Sequence, residues 1–563
     1  MVERTCSIFT VERSANPLGL SDSSIRPPTP ALPPPHLDAA PIDRLADLKF
    51  LALLVLLTIG LRAWQLTHTE VAARDSIGYI RVAWELEHGD WPTVIRTAQQ
   101  HPAYPVAVRA MSVPVRYFVA DLARAMQLSA QLTSALASVL LVVPLYYLGR
   151  EMFARNIAFW GVLLFQCLPS PGRVMADGLS EPLFLLFAAS SLALALAALR
   201  TQSLTGFALA GLASGAAYLT RPEGGLLAAA TGLVLLAQQL RSRWRRPWPV
   251  ALKCGAALSV GTMCVAGPFM VLIRDVTLKQ TAKGVLNSTG AESLGAPWLR
   301  SSQDAAPAPT RQLLAMWWDK SSVVMNDLNG PAARRVWGAK VVGQCLARGL
   351  FFIGVVPALI GLWVFRDRFR LLPGAAVLVL LGAVLLFALY RVAVLSGYLS
   401  DRHTMLITMC ACPWVAAGTV VLGRWFAAWD RRPGAAGAWT TGLLVLGCLG
   451  PALKTAAPLH SERAGFREAG YWLAQNTQPG DRLVDPYTWA SYYAGRVFQD
   501  SAPQPAHQSA VCYVVVDETE NKHSHLDEVD QAHQLAKTGR EVRRWNLKRG
   551  EVAIYAVTEP NTR

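Results

Sequence analysis

Apolar residues in this chain come in long runs separated by short, mostly basic loops. The runs fall at 48–64, 127–148, 156–168, 182–199, 206–220, 224–240, 250–273, 351–365, 371–390, 403–422 and 439–453. Most approach the length that crosses a bilayer. The pattern predicts an α-helical polytopic membrane protein with about 11 transmembrane helices, filling residues 46–455. Two longer segments interrupt it, at 65–126 and 274–346. The first carries Trp84, Trp91, Tyr104, Tyr117 and Phe118, aromatics suited to a membrane interface. It predicts a helix over 76–87, with a second helix or shallow re-entrant piece over 101–119, both along the membrane surface. The second segment is polar and shows no clear periodicity.

The two ends differ from this middle. Residues 1–45 are polar and Pro-rich, which predicts a disordered tail. The first apolar run starts only near Leu48 and has no convincing cleavage site, unlike a signal peptide. Residues 456–563 are polar again. Helical periodicity at 465–476 and 526–536 alternates with β-rich runs at 482–484, 511–516, 542–547 and 552–557. That alternation predicts a small α/β domain. It contains no nucleotide-binding Gly-rich loop.

Composition sharpens the membrane reading. The chain of 563 residues is 52% hydrophobic and only 16% charged, against about 25% charged in ordinary soluble proteins. The net charge of +15 would suggest nucleic acid in a soluble protein. Here the arginines crowd the short loops, so membrane orientation explains them and no nucleic-acid partner is expected. With the N-terminus in the cytoplasm, the loops at Arg150/Arg155, Arg200, Arg241–Arg246, Arg366–Arg370 and Arg424–Arg432 all fall inside. The long segments and the C-terminal domain then lie outside a bacterial-type inner or plasma membrane. The nine cysteines have no metal-ligand spacing and read as small core residues.

The candidate chemistry sits at the predicted outer ends of the spans. The stretch 172–187, GRVMADGLSEPLFLLF, puts Arg173, Asp177 and Glu181 where two helices meet water. Ionisable groups at a membrane boundary are costly, which makes them functional candidates. Asp177 and Glu181 are four apart and would share one helix face. Arg221 and Glu223 stand in the break between two spans, Asp75 follows the first span, and His101 precedes Pro102 in the same segment. Tyr398, Asp401, Arg402 and His403 precede a late span. Simpler readings stand beside these. Glu181 with Ser180 as N-cap suits a helix start, Asp75 can pair locally with Arg74, His101-Pro102 can simply break a helix, and Arg402-His403 can snorkel.

A shared outer cavity of acids and arginines suits sugar transfer from a polyprenyl-phosphate donor. A carboxylate takes the acceptor's proton, and cations meet the charge growing on the leaving phosphate. The order of the pieces resembles the GT-C glycosyltransferases, especially the protein-mannosyltransferase-like and aminoarabinose-transferase-like membrane enzymes. The resemblance rests on Asp75 before Gly78-Tyr79-Ile80, on HPAYP at 101–105, on GRVMADGLSEPLF at 172–184, on GLASGAAYLTRPEG at 211–224 and on GYLSDRH at 397–403. It implies inverting transfer on the outer face, with Asp75 as base, joined by Asp177 or Glu181. It implies substrate contacts from Tyr79, His101, Arg173, Arg221, Glu223, Arg402 and His403, with Arg402 and Arg221 on the donor phosphate. The acceptor stays open between lipid, polysaccharide and protein. Asp75 is followed by Ser76 where protein mannosyltransferases tend to carry an Asp-Glu pair, so a divalent metal ion is left undecided as a cofactor. The rival is a transporter or flippase of a lipid-linked sugar, which intramembrane charges would also suit.

Overall fold

The structure is a computed structural model, and it describes residues 44–241, 248–278, 322–324, 331–478, 481–499, 511–518, 527–547 and 550–557. The expected tail, apart from its last residues, and most of the polar part of 274–346 lie outside the described residues.

The helices run in this order: α1 (Arg44–Thr67), α2 (Arg74–His88), α3 (Trp91–Thr97), α4 (Ala103–Val115), α5 (Leu122–Met152), α6 (Arg155–Cys167), α7 (Pro169–Val174), α8 (Glu181–Thr201), α9 (Leu204–Thr220), α10 (Gly225–Arg241) and α11 (Trp248–Ile273). Then come α12 (Pro331–Gly349), α13 (Val355–Val364), α14 (Arg368–Leu371), α15 (Pro373–Ser396), α16 (Met405–Trp429) and α17 (Ala436–Thr455). The C-terminal part adds α18 (Ala464–Asn476), α19 (Trp489–Tyr493) and α20 (Asp527–Thr538). The strands are β1 (Ser322–Val324), β2 (Tyr398–Ser400), β3 (Arg482–Val484), β4 (Cys512–Asp517), β5 (Arg540–Leu547) and β6 (Gly550–Val557).

Each predicted span meets a helix. Among the described residues, 7 helices are long and apolar enough to cross a membrane. α1 has 24 residues, whereas α6 has 13, α9 has 17 and α13 has 10, so the expectation of about 11 full-length spans is met in helix count and not in length. α1 shows the inversion expected in lipid. Leu45, Leu48, Leu53, Leu56 and Ile59 face outward, while Asp47, Thr58, Arg62 and Gln65 are buried. Polar groups inside and leucines outside is the arrangement a hydrocarbon solvent selects. α9 and α11 touch backbone to backbone. A Cβ on Gly211 would collide with the Leu258 carbonyl, and one on Gly261 with the Ala208 carbonyl. Small residues at helix crossings allow this approach, and it fixes the end of α9, where Arg221 sits.

The structure corrects two expectations here. The 274–346 segment contains β1 and α12. The signal in α12 was present but diluted by arginines. Trp337, Val341, Val342, Cys345 and Leu346 recur on one face and pack with Leu389 and Leu399. And Asp177 and Glu181 do not share a helix face, because α7 ends at Val174 and Gly178 adopts φ +70° between them.

The C-terminal sheet has the order β3-β4-β6-β5, with β3 parallel to β4 and the other pairs antiparallel. Val514, Val515, Val516, Ala553 and Ile554 bury the two central strands. β5, REVRRWNL, carries its arginines and glutamate at the edge, which discourages pairing with another chain.

Candidate active site

The site is assembled from five chain segments, and the stretch at 172–181 is its keel. Arg62 and Gln65, buried in α1, both donate to the Gly172 carbonyl. Arg62 also reaches the Gln166 carbonyl at 2.9 Å and the Gln166 side-chain oxygen at 2.8 Å. Thr455 of α17 packs against Gly172 and donates to the Cys167 carbonyl at 2.6 Å. Gly178 lies so close to α2 that a Cβ there would stand 2.5 Å from Ser76 Oγ. At φ +70° this position also favours glycine. α2 is thereby seated directly on the turn that leads into Glu181.

Glu181 opens α8 and is the centre of the charge cluster. Its Oε1 accepts from Arg221 Nη1 at 2.8 Å, and from Arg402 Nε at 3.0 Å and Nη2 at 2.8 Å. Its Oε2 is buried without a hydrogen-bond partner among the described residues. Arg402 continues to Asp75, donating from Nη1 at 2.6 Å to Oδ2. Arg221 continues to Glu223 at 3.5 Å. The result is a chain of alternating charges, Asp75–Arg402–Glu181–Arg221–Glu223. The Glu181 side chain is 3% exposed and that of Asp75 is 55% exposed, so the chain runs from a buried carboxylate to an open one.

A small open pocket adjoins this chain, lined by Glu181, Phe184, Arg221, Glu223, Leu385, Arg402 and His403 among others. His403 is oriented by its backbone: its Nδ1 accepts from the Ser400 N–H at 3.2 Å within a capping box. Tyr79, one turn after Asp75, is buried and hydrogen-bonded to Ser180 Oγ at 2.9 Å. Burial, with the Glu181 carboxylate second, pushes the Tyr79 phenol above its ordinary range, which keeps it a neutral hydroxyl beside the cluster.

Seven residues expected at the site are therefore brought together: Asp75, Tyr79, Glu181, Arg221, Glu223, Arg402 and His403. Asp75 lies in the first turn of α2 rather than in a loop. Ser180 precedes α8 but makes no side-chain cap; its hydroxyl serves Tyr79 instead. Three expected residues sit elsewhere. His101 is buried under α9 and α11, its Nδ1 on the Tyr218 carbonyl at 2.7 Å and its Nε2 on Thr277 Oγ1 at 3.0 Å, with Phe269 against the ring. Asp177 accepts from His460 Nε2 at 2.8 Å, at the junction with the C-terminal part. Arg173 is on that side too, close enough to Glu462 to help hold its carboxyl low.

Sequence reading missed Arg62 and His460. An arginine inside an apolar run was a signal available for the first. His460 had none, since its position comes from a left-handed turn at φ 56° after the last span. As for a metal, the acids at the site are already engaged by guanidiniums. Among the described residues no three His, Cys, Asp or Glu side chains converge to hold an ion.

Residues 115–264 match the family described as dolichyl-phosphate-mannose-protein mannosyltransferase. No curated protein matches the chain. Among solved structures, the Archaeoglobus fulgidus oligosaccharyltransferase in the apo form aligns at a TM-score of 0.53 and 13% identity, over 92% of this chain and 75% of that one. The archaeal oligosaccharyltransferase AglB from Archaeoglobus fulgidus, in complex with an inhibitory peptide and a dolichol-phosphate, aligns at 0.51 and 14% identity, over 82% of this chain. This chain spans 60% of the AglB chain's length. ArnT from Cupriavidus metallidurans in the apo state aligns at 0.49 and 14% identity, over 91% of this chain and 98% of that one. The resemblance carried by the motifs thus extends to the architecture: this is a polytopic membrane protein with the fold of the GT-C glycosyltransferases.

Proposed function

We propose that the chain is an integral-membrane glycosyltransferase that moves a sugar from a polyprenyl-phosphate donor to an acceptor on the outer face of the membrane. The observation that carries this reading is Arg402. One guanidinium touches both the solvent-open carboxylate of Asp75 at 2.6 Å and the buried carboxylate of Glu181 at 2.8 Å. In this reading the leaving phosphate and the attacking hydroxyl meet beside it. The matched family is named for a dolichyl-phosphate sugar and the AglB structure is of a complex with a dolichol-phosphate, which supports a lipid-phosphate donor. The basic loops support the placement of this end of the bundle outside.

In the proposed step the acceptor hydroxyl attacks the anomeric carbon from the side opposite the phosphate. The new glycosidic C–O bond forms as the bond to the phosphate oxygen breaks, and the configuration inverts. Asp75 accepts the hydroxyl proton. The departing polyprenyl phosphate keeps the electron pair, and Arg402 and Arg221 meet its charge with hydrogen bonds already oriented by Glu181. Glu181 is a positioning residue in this scheme, because both guanidiniums are aimed through its single oxygen. Glu223 steadies Arg221 from the cavity side.

The test is transfer or slow hydrolysis of radiolabelled sugar from a panel of polyprenyl-phosphate sugars, with purified wild type and Asp75→Asn in parallel. The expected outcome is that wild type consumes one donor while the folded variant is slower by about 100- to 10,000-fold. Consumption of no donor, together with movement of an intact lipid-linked sugar across a vesicle membrane, would replace this reading with the transporter.

A further inference from the structure

The chain beyond the last span grips the short segment that carries Asp75. Glu70 N–H donates to the Leu459 carbonyl at 3.2 Å and Leu459 N–H to the His68 carbonyl at 3.1 Å, a parallel bridge at Thr69. Arg467 of α18 donates to both the carbonyl and the carboxylate of Glu70 at 2.9 Å. The closest hold is at Ala72, three residues before Asp75. Its carbonyl accepts from Trp489 Nε1 at 2.8 Å, and its N–H donates to Tyr493 Oη at 3.0 Å. Arg74 donates to the Pro486 carbonyl at 3.2 Å.

Ala72 precedes α2 and is almost completely buried, so its peptide groups need partners that neither helix nor sheet supplies. α19 supplies both from side chains. The same helix is braced on the transmembrane bundle: Tyr493 Oη donates to Gln127 Oε1 at 2.8 Å, and Tyr492 Oη to the Ala123 carbonyl at 2.6 Å, both on α5. α19 is therefore a strut between a long span and the entry to α2. The entry to α2 fixes where its first turn, and Asp75 in it, stands relative to Arg402.

We propose that Trp489 and Tyr493 are positioning residues for Asp75, so that the C-terminal domain completes the active site from outside the membrane bundle. This inference rests on Asp75 being the base. It assigns the C-terminal part a role in the chemical step rather than in capture of either substrate. A shift of about 1 Å in a reacting group can cost about 100-fold in rate. Loss of one of the two bonds at Ala72 is a smaller disturbance than that.

The experiment uses the purified full chain and the donor found by the panel above. Tyr493→Phe keeps the ring and removes only the hydroxyl, and Trp489→Phe removes the N–H with part of the ring. The expected result for Tyr493→Phe is a fall in kcat of about tenfold, with KM for the polyprenyl-phosphate sugar unchanged within about twofold. Backbone amide exchange should quicken at residues 70–76 and stay as in wild type along α16. Trp489→Phe should act in the same direction; Tyr493→Phe decides the matter should the tryptophan variant misfold. Wild-type kcat in Tyr493→Phe, or unchanged exchange at 70–76, overturns the proposal. So does a fall in kcat matched by an equal rise in KM. Asp75→Asn separates the two readings. With Asp75→Asn inactive and Tyr493→Phe at wild-type kcat, only the positioning role fails. With Asp75→Asn as active as wild type, the base assignment fails and takes the positioning role with it, and a wild type that consumes no donor removes both.

Discussion

Two acids, Asp177 and Glu181, come from one short stretch and end in opposite situations. Glu181 is deeply buried, and one oxygen gathers three N–H donors from two arginines, one from the end of α9 and one from the turn that leads into α16. A cavity adjoins it, and a second carboxylate, Asp75, is reached through Arg402. Asp177 accepts from His460, and neighbouring Arg463 is stacked 4.4 Å over Trp489. The first cluster has more capacity than its own members use, since among the described residues Glu181 Oε2 has no hydrogen-bond partner. The second joins two parts of the fold. An acid at a helix end is a poor guide to chemistry by itself; what its partners leave open is the better guide.

The largest effect that sharpens this contrast is expected at Glu181. Glu181→Ala leaves the buried Arg221 and the partly exposed Arg402 without their shared partner, a change whose cost approaches the about 3–5 kcal/mol of breaking a buried pair. The expected outcome is a lower unfolding midpoint in detergent together with loss of transfer. A variant that unfolds like wild type would mean that the arginines are held by other groups. Next in size is Arg402→Lys. An ammonium keeps the charge but cannot reach Asp75 and Glu181 with separate N–H groups. Donor kcat/KM should drop by about 100-fold, the lower end for removing one oriented donor from a developing oxyanion, with acceptor KM changed far less. Equal losses for both substrates would break the assignment of Arg402 to the phosphate.

Much of this was legible before the fold. Each run of apolar residues located a helix, seven of which among the described residues are long and apolar enough to cross a membrane, because lipid selects for long uninterrupted stretches. The short loops were legible through their arginines. Most of the charged cluster was legible for a related reason: an ionised group at the end of an apolar run is conspicuous against its background. What was not legible was pairing. That Glu181 would meet Arg402 across 221 residues, and Asp177 meet His460 across 283, follows from how helices pack, not from any local pattern. The spacing of four between the acids suggested one shared face, and a single left-handed glycine sent them to different partners. α12 was hidden because its buried stripe is narrow and its outer face is basic. The grip on Ala72 was hidden more completely, since the groups held are backbone groups, which no side-chain pattern records.

A smaller effect is expected at the second cluster. Asp177→Ala should lower stability by about 1–3 kcal/mol, the cost of leaving the half-buried His460 without its acceptor. Donor KM should stay within about twofold of wild type. His460→Ala should behave alike, and the double variant should cost less than the two singles together if the bond is what each removes. A change in donor KM would break the comparison, because it would make Asp177 part of the donor site.

The smallest effect concerns pH. Glu462 stands beside Arg463 in this second cluster. Burial pushes its carboxyl up, but its own backbone N–H, then Arg463, His460 and Arg173, outweigh that and hold it below the ordinary value of 4.5. A carboxylate with a depressed folded-state value stabilises the fold fully above the unfolded value, and the contribution is lost as pH falls through the folded value. The window therefore begins near pH 4.5 and extends downward. The Glu462 side chain is 44% exposed, so solvent screens the interaction and the loss should stay within about 1 kcal/mol. Unfolding midpoints measured downward from pH 5 should decline less steeply in Glu462→Gln than in wild type, with donor binding at pH 7 the same in both. A Glu462→Gln variant that also loses donor binding would join the two clusters into one site, and the difference drawn between Asp177 and Glu181 would fall.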